Sequence, residues 1–185
     1  HEGSLWIGNN LPGIDQLKSA RFAVYGMRQG LSHATATCIY QDSKQTMWVG
    51  TENGLNRLGT NGFTRLTMAD GLSANLVFTV CEDTKGGLWV GTLRGLNYFS
   101  NGRFTQARTE DGLPSSTIWC SYRDRNGNVW VGTQKGLVRV ESGKFRAFTH
   151  DGEGLSHEDV RAICEDREGR LWVGTSYGLN RLEGE

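Results

Sequence analysis

The sequence predicts an all-β protein built of repeated antiparallel sheets, on three observations. The segment Leu-Trp-Val-Gly-Thr or a close variant occurs five times in 185 residues, and its tryptophans are 42, 41, 41 and 42 residues apart. Each repeat holds four short runs of apolar and β-branched residues separated by turn-forming residues. No segment has apolar residues at helical spacing over ten positions, so no long helix is expected. Four short strands in about 40 residues make one β-propeller blade, and we predict a β-propeller of four-stranded antiparallel blades, three complete and two partial.

The unit at 73–113 illustrates the predicted strands, which are 76–81, 88–92, 96–99 and 104–107. The turns before Trp89, Trp130 and Trp172 begin with an aspartate and continue with a glycine that suits a left-handed backbone. The turn that begins at Asp42 lacks this glycine, so we expect it to be looser or more strained.

The repeat divides the chain into five segments. We predict a partial blade at 1–30, blades at 31–72, 73–113 and 114–154, and a partial blade at 155–185. The first segment opens at a second strand and the last stops after a third strand. A closed propeller leaves no exposed strand edges, so we expect a slice of a larger propeller, with an imperfect five-unit ring or association with another copy as alternatives.

Residues that repeat in every unit are interpreted as structural. The repeated tryptophans are Trp6, Trp48, Trp89, Trp130 and Trp172. Burial of a tryptophan removes ~150–250 Å² from water, which favours a packing role over ligand stacking. The glycines two residues later (Gly50, Gly91, Gly132 and Gly174) should admit a close neighbour, and we expect a tryptophan or phenylalanine of the adjacent blade. The threonines that follow are predicted to be turn or ladder residues.

Charge and cysteine content exclude several classes. Lys+Arg and Asp+Glu number 20 each, so no net charge favours nucleic acid or an acidic membrane. No apolar run approaches the ~20 residues that span a bilayer, and no signal peptide is recognised. The four cysteines lie in different repeats at even offsets from the turn aspartate, so we expect four buried free thiols rather than disulfides or a metal site.

Two long segments resemble the two-component regulator propeller repeat: VCEDTKGGLWVGTLRGLNYF at 80–99 and ICEDREGRLWVGTSYGLNRL at 163–182. The resemblance covers nearly the whole chain; the first copy departs most, with one extra residue and Asn9 in place of threonine. It implies an extracytoplasmic, periplasmic or extracellular, sensor region of a bacterial membrane-bound regulator such as a hybrid histidine kinase or a diguanylate cyclase. The membrane would then be reached only through segments outside this chain. In members tied to polysaccharide use, the resemblance implies oligosaccharide ligands.

Positions that differ between the copies are the candidate ligand site. One set is the tip between the second and third strands, and the other lies five residues before the turn aspartate. Both should meet at one rim of the propeller. The candidates are Glu52, Phe78, Arg94, Trp119, Gln134, Lys135, Arg161 and Tyr177. They offer stacking planes and hydrogen-bond donors for a sugar or an anion, although solvated tips, and a Trp119 that fills space between blades, are the alternatives.

The predicted function is therefore ligand binding by a sensor, without catalysis. A purely structural or dimerising propeller is the first alternative, with neighbouring blades or a second copy as its partners. A lyase or hydrolase is less supported, since Glu52 and scattered histidines are the only acid–base groups near the channel mouth. No metal or cofactor is predicted: the histidines have no repeated spacing, and the calcium-loop-like segment at Asp124 has Lys135 where an acidic ligand is needed.

Overall fold

The structure is a computed structural model that describes residues 5–8, 14–18, 21–107, 109–141 and 144–182. Side chains are described from Phe22 onward, apart from Glu153. The predicted structural role of the Trp6 side chain therefore lies outside the described residues.

In the described part of the chain, eighteen strands form five antiparallel sheets, here called blades 1 to 5. Blade 1 contains β1 (Leu5–Gly8), β2 (Ile14–Lys18) and β3 (Arg21–Tyr25). Blade 2 contains β4 (Ala36–Gln41), β5 (Met47–Thr51), β6 (Gly54–Gly59) and β7 (Gly62–Leu66). Blade 3 contains β8 (Val77–Glu82), β9 (Leu88–Thr92), β10 (Gly95–Ser100) and β11 (Arg103–Ala107). Blade 4 contains β12 (Ile118–Arg123), β13 (Val129–Thr133), β14 (Gly136–Glu141) and β15 (Lys144–Phe148). Blade 5 contains β16 (Val160–Glu165), β17 (Leu171–Thr175) and β18 (Gly178–Arg181).

The described helices are short. Three single 3₁₀ turns (Met27–Gln29, Met68–Asp70 and Thr109–Asp111) and one helix, α1 (His150–Glu153), precede the first strands of blades 2 to 5. Within the described ranges, no helix has the length and apolar character to cross a bilayer. Three four-stranded sheets and two three-stranded ones confirm the predicted all-β blade architecture.

The core lies between blades. The first strands of blades 2 to 5 contact one another in order, which places them innermost. One cluster joins Trp48 and Leu55 of blade 2 to Val77 and Val90 of blade 3. Blades 3 and 4, and blades 4 and 5, share equivalent clusters. Each sheet is therefore stabilised by burial of apolar side chains against its neighbours.

The repeated tryptophan is fixed on both sides by other repeated residues. The indole N–H of Trp130 donates to the turn carboxylate of Asp124 at 2.8 Å, and the Arg139 guanidinium lies 5.7 Å from the ring centroid. Blades 2 and 5 have the same arrangement. In blade 3, Tyr98 replaces the arginine, and its ring centroid lies 4.7 Å from that of Trp89. These contacts explain why the aspartate, the tryptophan and the arginine repeat together.

The prediction for the mid-strand glycines is wrong about their neighbours. A Cβ on Gly132 would lie 2.5 Å from the Cys120 sulfur and 2.8 Å from a methyl group of Val160. The same pattern recurs at Gly50 and Gly91, where a Cys or Thr of the same blade and a β-branched residue of the next blade are the neighbours. The glycine makes room for the next first strand rather than for an aromatic ring, because the innermost strands are the ones that meet.

The cysteines are free thiols, but the prediction that all four are buried is wrong. Cys81 is buried in the cluster between blades 3 and 4, whereas Cys38 and Cys120 are half-buried. Cys164 is exposed because no further blade covers its face of blade 5 among the described residues. Burial disfavours the thiolate and raises the pKa of Cys38, Cys81 and Cys120 to about 12.

Thiol labelling should therefore distinguish Cys164 from the other cysteines. At pH 8 we expect one thiol of the folded protein to react rapidly with Ellman's reagent, and four in denaturant, because the thiolate is the reactive form. A Cys164→Ser variant should lose the rapid phase. Rapid reaction of two or more thiols in the folded protein would contradict this packing.

The turn after Asp42 is strained, as predicted. Gln45 has φ of 65°, whereas Gly86 occupies the equivalent position in blade 3 at φ of 79°. The Asp42 carboxylate still accepts from the backbone N–H groups of Lys44 and Thr46, at 3.0 and 2.8 Å. The aspartate thus holds the turn although the residue in the left-handed region carries a side chain.

Gln45→Gly should stabilise the protein. A side chain in the left-handed region costs roughly 1–2 kcal/mol, and the entropy of glycine in the unfolded chain offsets part of the gain, so we expect about 0.5–1 kcal/mol in urea denaturation. Gly86→Ala is the reverse control and should cost a similar amount, since its added Cβ meets only Glu82 Oε1 at 3.8 Å. A destabilising Gln45→Gly would contradict the strain.

Candidate functional site

A β-bulge recurs at one point in the first strand of blades 2 to 5. In blade 3, Val77 pairs with Thr92 and Thr79 pairs with Gly91, which leaves Phe78 as the extra residue. The equivalent extra residues are Thr37, Trp119 and Arg161. A bulge redirects the side chain that it carries. These four positions are the ones that sequence comparison between copies had marked as variable, although the bulge itself was not predicted.

Three of the bulged side chains contact one another across blades. The ring centroids of Phe78 and Trp119 are 5.0 Å apart. The Arg161 guanidinium carbon lies 4.0 Å from the Trp119 ring centroid, within the range of a cation–π interaction. We call Phe78, Trp119, Asp159 and Arg161 the inner rim cluster. Because Phe78 and Arg161 both lie against Trp119, its ring is less available for stacking than the sequence suggested.

Asp159 holds Arg161 in this position. Its Oδ2 accepts from Arg161 Nε at 3.0 Å, from Arg161 Nη2 at 2.6 Å and from Ser176 Oγ at 2.8 Å. Its Oδ1 is buried and, like the buried Trp119 indole N–H, makes no hydrogen bond of ordinary geometry. Burial raises the pKa of Asp159, but the hydrogen bonds from Ser176 and Arg161, the charge of Arg161 and the nearby Trp119 N–H outweigh burial and leave the pKa below its usual value.

The tips lie at the same edge as the bulges, as the hairpin geometry predicts. The backbone N–H groups of Leu93, Gln134 and Ser176 donate to carbonyl groups just before the first strand of their own blade, at 3.2, 3.1 and 3.0 Å. The threonine that closes each second strand fixes the tip further. Thr92 Oγ1, for example, donates to the Gly95 carbonyl at 2.9 Å and accepts from the Arg94 N–H at 3.1 Å.

The tip side chains themselves are exposed. Those predicted to bind ligand are Glu52, Arg94, Gln134, Lys135 and Tyr177. Among the described residues, hydrogen bonds and ring contacts join none of these five side chains to the inner rim cluster. Tyr177 is 78% exposed, and its ring centroid lies 4.9 Å from that of His157. Glu52 Oε2 is 3.7 Å from His33 Nε2. Lys135 and His157 line a cavity of about 500 Å³ between the tip of blade 4 and the segment that precedes the first strand of blade 5. Ligand binding at these residues stays a prediction.

In blades 2, 3 and 5, a polar network that the sequence did not reveal ties the tip to the segment before the first strand. In blade 3, Asn97 is 0% exposed and accepts from the Ser73 N–H at 2.9 Å. Its amide donates to Ser73 Oγ at 2.9 Å and to the Val90 carbonyl at 3.0 Å. Blades 2 and 5 repeat the network. The repeated Asn of the Gly-Leu-Asn-Arg-Leu motif is the sequence feature that could have indicated this network. Its role could not be read from the motif, because its partner serine lies 24 residues earlier.

A larger groove of about 890 Å³ lies away from the rim, between blades 3 and 4. Its aromatic lining is Trp89, Tyr98 and Phe145, whose rings already pack on one another. These are structural residues, so we place the candidate site at the inner rim cluster. The described residues contain no group of three or more metal-ligating side chains.

Comparison with known protein families identifies the family to which these blades belong. The model of the two-component regulator propeller matches residues 30–53, 71–94, 112–135 and 154–177, just over half of the chain. The chain belongs to the two-component regulator propeller family. Each matched segment of this regulator propeller runs from the turn before the first strand, through the bulge and the repeated tryptophan, to the tip.

Solved structures share the fold. An extracellular domain assigned to a hybrid two-component system of B. thetaiotaomicron is 28% identical, with a TM-score of 0.80 over 98% of this regulator propeller and 26% of that chain. A second domain so described, from the same organism, is 23% identical, with a TM-score of 0.73 over 97% of this chain and 31% of that one. The regulator propeller thus spans less than a third of these structures.

Virginiamycin B lyase from Staphylococcus aureus shares the fold at 16% identity, with a TM-score of 0.74 over 98% of this chain and 67% of the lyase. Identity at this level shows a common fold alone. No curated protein sequence matches the chain.

Proposed function

We propose that this chain is part of a bacterial signalling protein's sensor propeller, on the extracytoplasmic side of the membrane, and binds an oligosaccharide at the inner rim. The observation that carries the proposal is the repeated β-bulge, which presents one non-repeating side chain per blade at the same edge. Scaffold positions repeat across the blades, whereas Phe78, Trp119 and Arg161 differ and contact one another. Similarity to extracellular domains of two-component systems supports the location.

The chemistry at this edge suits a sugar. A guanidinium offers five N–H donors, and those of Arg161 that do not reach Asp159 can bond to sugar hydroxyl groups. Tyr177 provides an exposed ring on which a pyranose can stack. A bound sugar would thus contact the outer face of Arg161 and the tip of blade 5. We propose that the signal passes as a change in packing against neighbouring domains.

Isothermal titration calorimetry with a panel of oligosaccharides tests the proposal. We expect at least one to bind the chain, and Arg161→Gln to weaken that binding about tenfold or more, because hydrogen bonds to charged groups contribute about 1.5–3 kcal/mol. Arg139→Gln is the matched control, since Arg139 also lies over a tryptophan but on the outer part of blade 4. No oligosaccharide binding, or equal affinity of the Arg161 variant, would contradict the proposal.

A second candidate is a dimerising or purely structural role, which the face of blade 5 favours. Leu179 is 67% exposed, whereas the equivalent Leu96 of blade 3 is fully buried. An apolar residue of this kind can pack against another copy. Concentration-dependent dimerisation that Leu179→Glu abolishes, together with signalling that is unaffected by Trp119 and Arg161 variants, would favour this role. We propose that neither role involves catalysis.

A further inference from the structure

The charge of Arg161 is balanced within the inner rim cluster. Two of its N–H groups donate to Asp159 Oδ2, and Ser176 holds the same oxygen. Three donors on one carboxylate oxygen stabilise its ionised form. At neutral pH the guanidinium and the carboxylate therefore form a neutral pair on the face of Trp119.

This pairing limits what the cluster can bind. An anionic group that approaches Arg161 must come close to Asp159, and two carboxylates in contact repel each other. A neutral hydroxyl group has no such cost and can accept from the remaining guanidinium N–H groups. The cation of the neighbouring cavity, Lys135, shares its lining with the acidic Asp151 and Glu158. The edge is thus polar without an excess of positive charge.

We infer that the inner rim cluster selects neutral oligosaccharides over those that carry uronic acid or sulfate groups, and that Asp159 sets this preference. The inference rests on the proposed function and specifies the ligand class of the same site. Asp159 acts as a specificity-determining residue because it neutralises Arg161 and keeps the guanidinium over Trp119.

The chain contains a matched control for Asp159. Arg139 lies over Trp130 and pairs at 2.7 Å with Glu141, which, like Asp159 from Arg161, is two residues away in the sequence. Glu141→Gln removes a carboxylate from an arginine–tryptophan stack that lies outside the rim. Asp159→Asn makes the same chemical change inside the inner rim cluster with little change in shape.

The experiment compares neutral and uronate-containing oligosaccharides of equal length, by calorimetry, on the wild-type chain, Asp159→Asn and Glu141→Gln. We expect the wild type and Glu141→Gln to prefer the neutral series by roughly tenfold or more. Asp159→Asn should narrow or reverse that ratio, because the freed charge of Arg161 attracts the uronate.

The outcomes separate the two proposals. Tighter binding of the uronate series to the wild type, or an unchanged ratio in Asp159→Asn, overturns the charge inference while the binding function stands. Binding of neither series contradicts both. If Asp159→Asn does not fold, the salt dependence of wild-type binding decides. Salt screens the repulsion between Asp159 and a uronate, so the preference for the neutral series should shrink as salt rises, and a preference that grows with salt would contradict the inference.

Discussion

Replacement of Gly132 by alanine should lower the free energy of unfolding by about 3 kcal/mol, near the upper end of the usual cost of overpacking. The new Cβ would lie 2.8 Å from a methyl group and 2.9 Å from the carbonyl oxygen of Val160, and 2.5 Å from the Cys120 sulfur. Because a backbone oxygen of the next blade is among these atoms, side-chain rotation cannot relieve the contact and blades 4 and 5 must separate.

Gly174→Ala is the matched control for Gly132→Ala. Gly174 lies in the same Trp-Val-Gly-Thr segment of blade 5, but its added Cβ meets only Ala162, at 3.4 Å. It should cost less than about 1 kcal/mol in urea denaturation. An equal decrease in the free energy of unfolding in the two variants would contradict this account. It would mean that the glycine is needed for the conformation of its own strand rather than for the close approach of the next blade.

Glu82→Ala should cost about 2–3 kcal/mol, because it leaves polar groups at a blade interface without their acceptor. Glu82 is 2% exposed, and its carboxylate accepts from the Ser43 N–H at 2.9 Å and from Ser43 Oγ at 2.8 Å. The equivalent residues of blades 4 and 5 also form hydrogen bonds to the preceding blade. Glu165 accepts from the Arg125 N–H, and Arg123 donates to the Asp83 carbonyl.

Glu168→Ala is the control for the loss of a glutamate. Its side chain is 66% exposed at the surface of blade 5, so we expect a change within about 0.5 kcal/mol. If Glu82→Ala and Glu168→Ala have equal urea midpoints, the Glu of the repeat does not join the blades.

The blade architecture could be predicted because its signals are local and repeat. The repeat period predicts the number of sheets, and the Asp turns predict the hairpins that connect the first and second strands. Strand β9 (Leu88–Thr92) has the predicted bounds. The shared edge of tips and first strands followed from hairpin connection alone. The strain of the turn after Asp42, which the structure places at Gln45, could be predicted from one missing glycine.

What could not be predicted depends on how neighbouring blades pack. The neighbours of Gly132 come from a first strand 28 residues later, and the partner of Glu82 lies 39 residues earlier. Cys164 has the same sequence context as Cys81 and a different exposure, since only Cys81 has a blade packed over it. The bulges have no residue signature, because Thr37, Phe78, Trp119 and Arg161 share no chemical property.

The central claim is that repeated residues build the blades while the bulged, non-repeating residues bind ligand. The six tryptophans allow a direct measurement, because each gives its own indole N–H signal in a ¹H–¹⁵N spectrum. On titration with a neutral oligosaccharide, the Trp119 signal should shift, and those of Trp6, Trp48, Trp89, Trp130 and Trp172 should stay in place. A shift of the repeated tryptophans without Trp119, or no shift of any signal, would contradict the account.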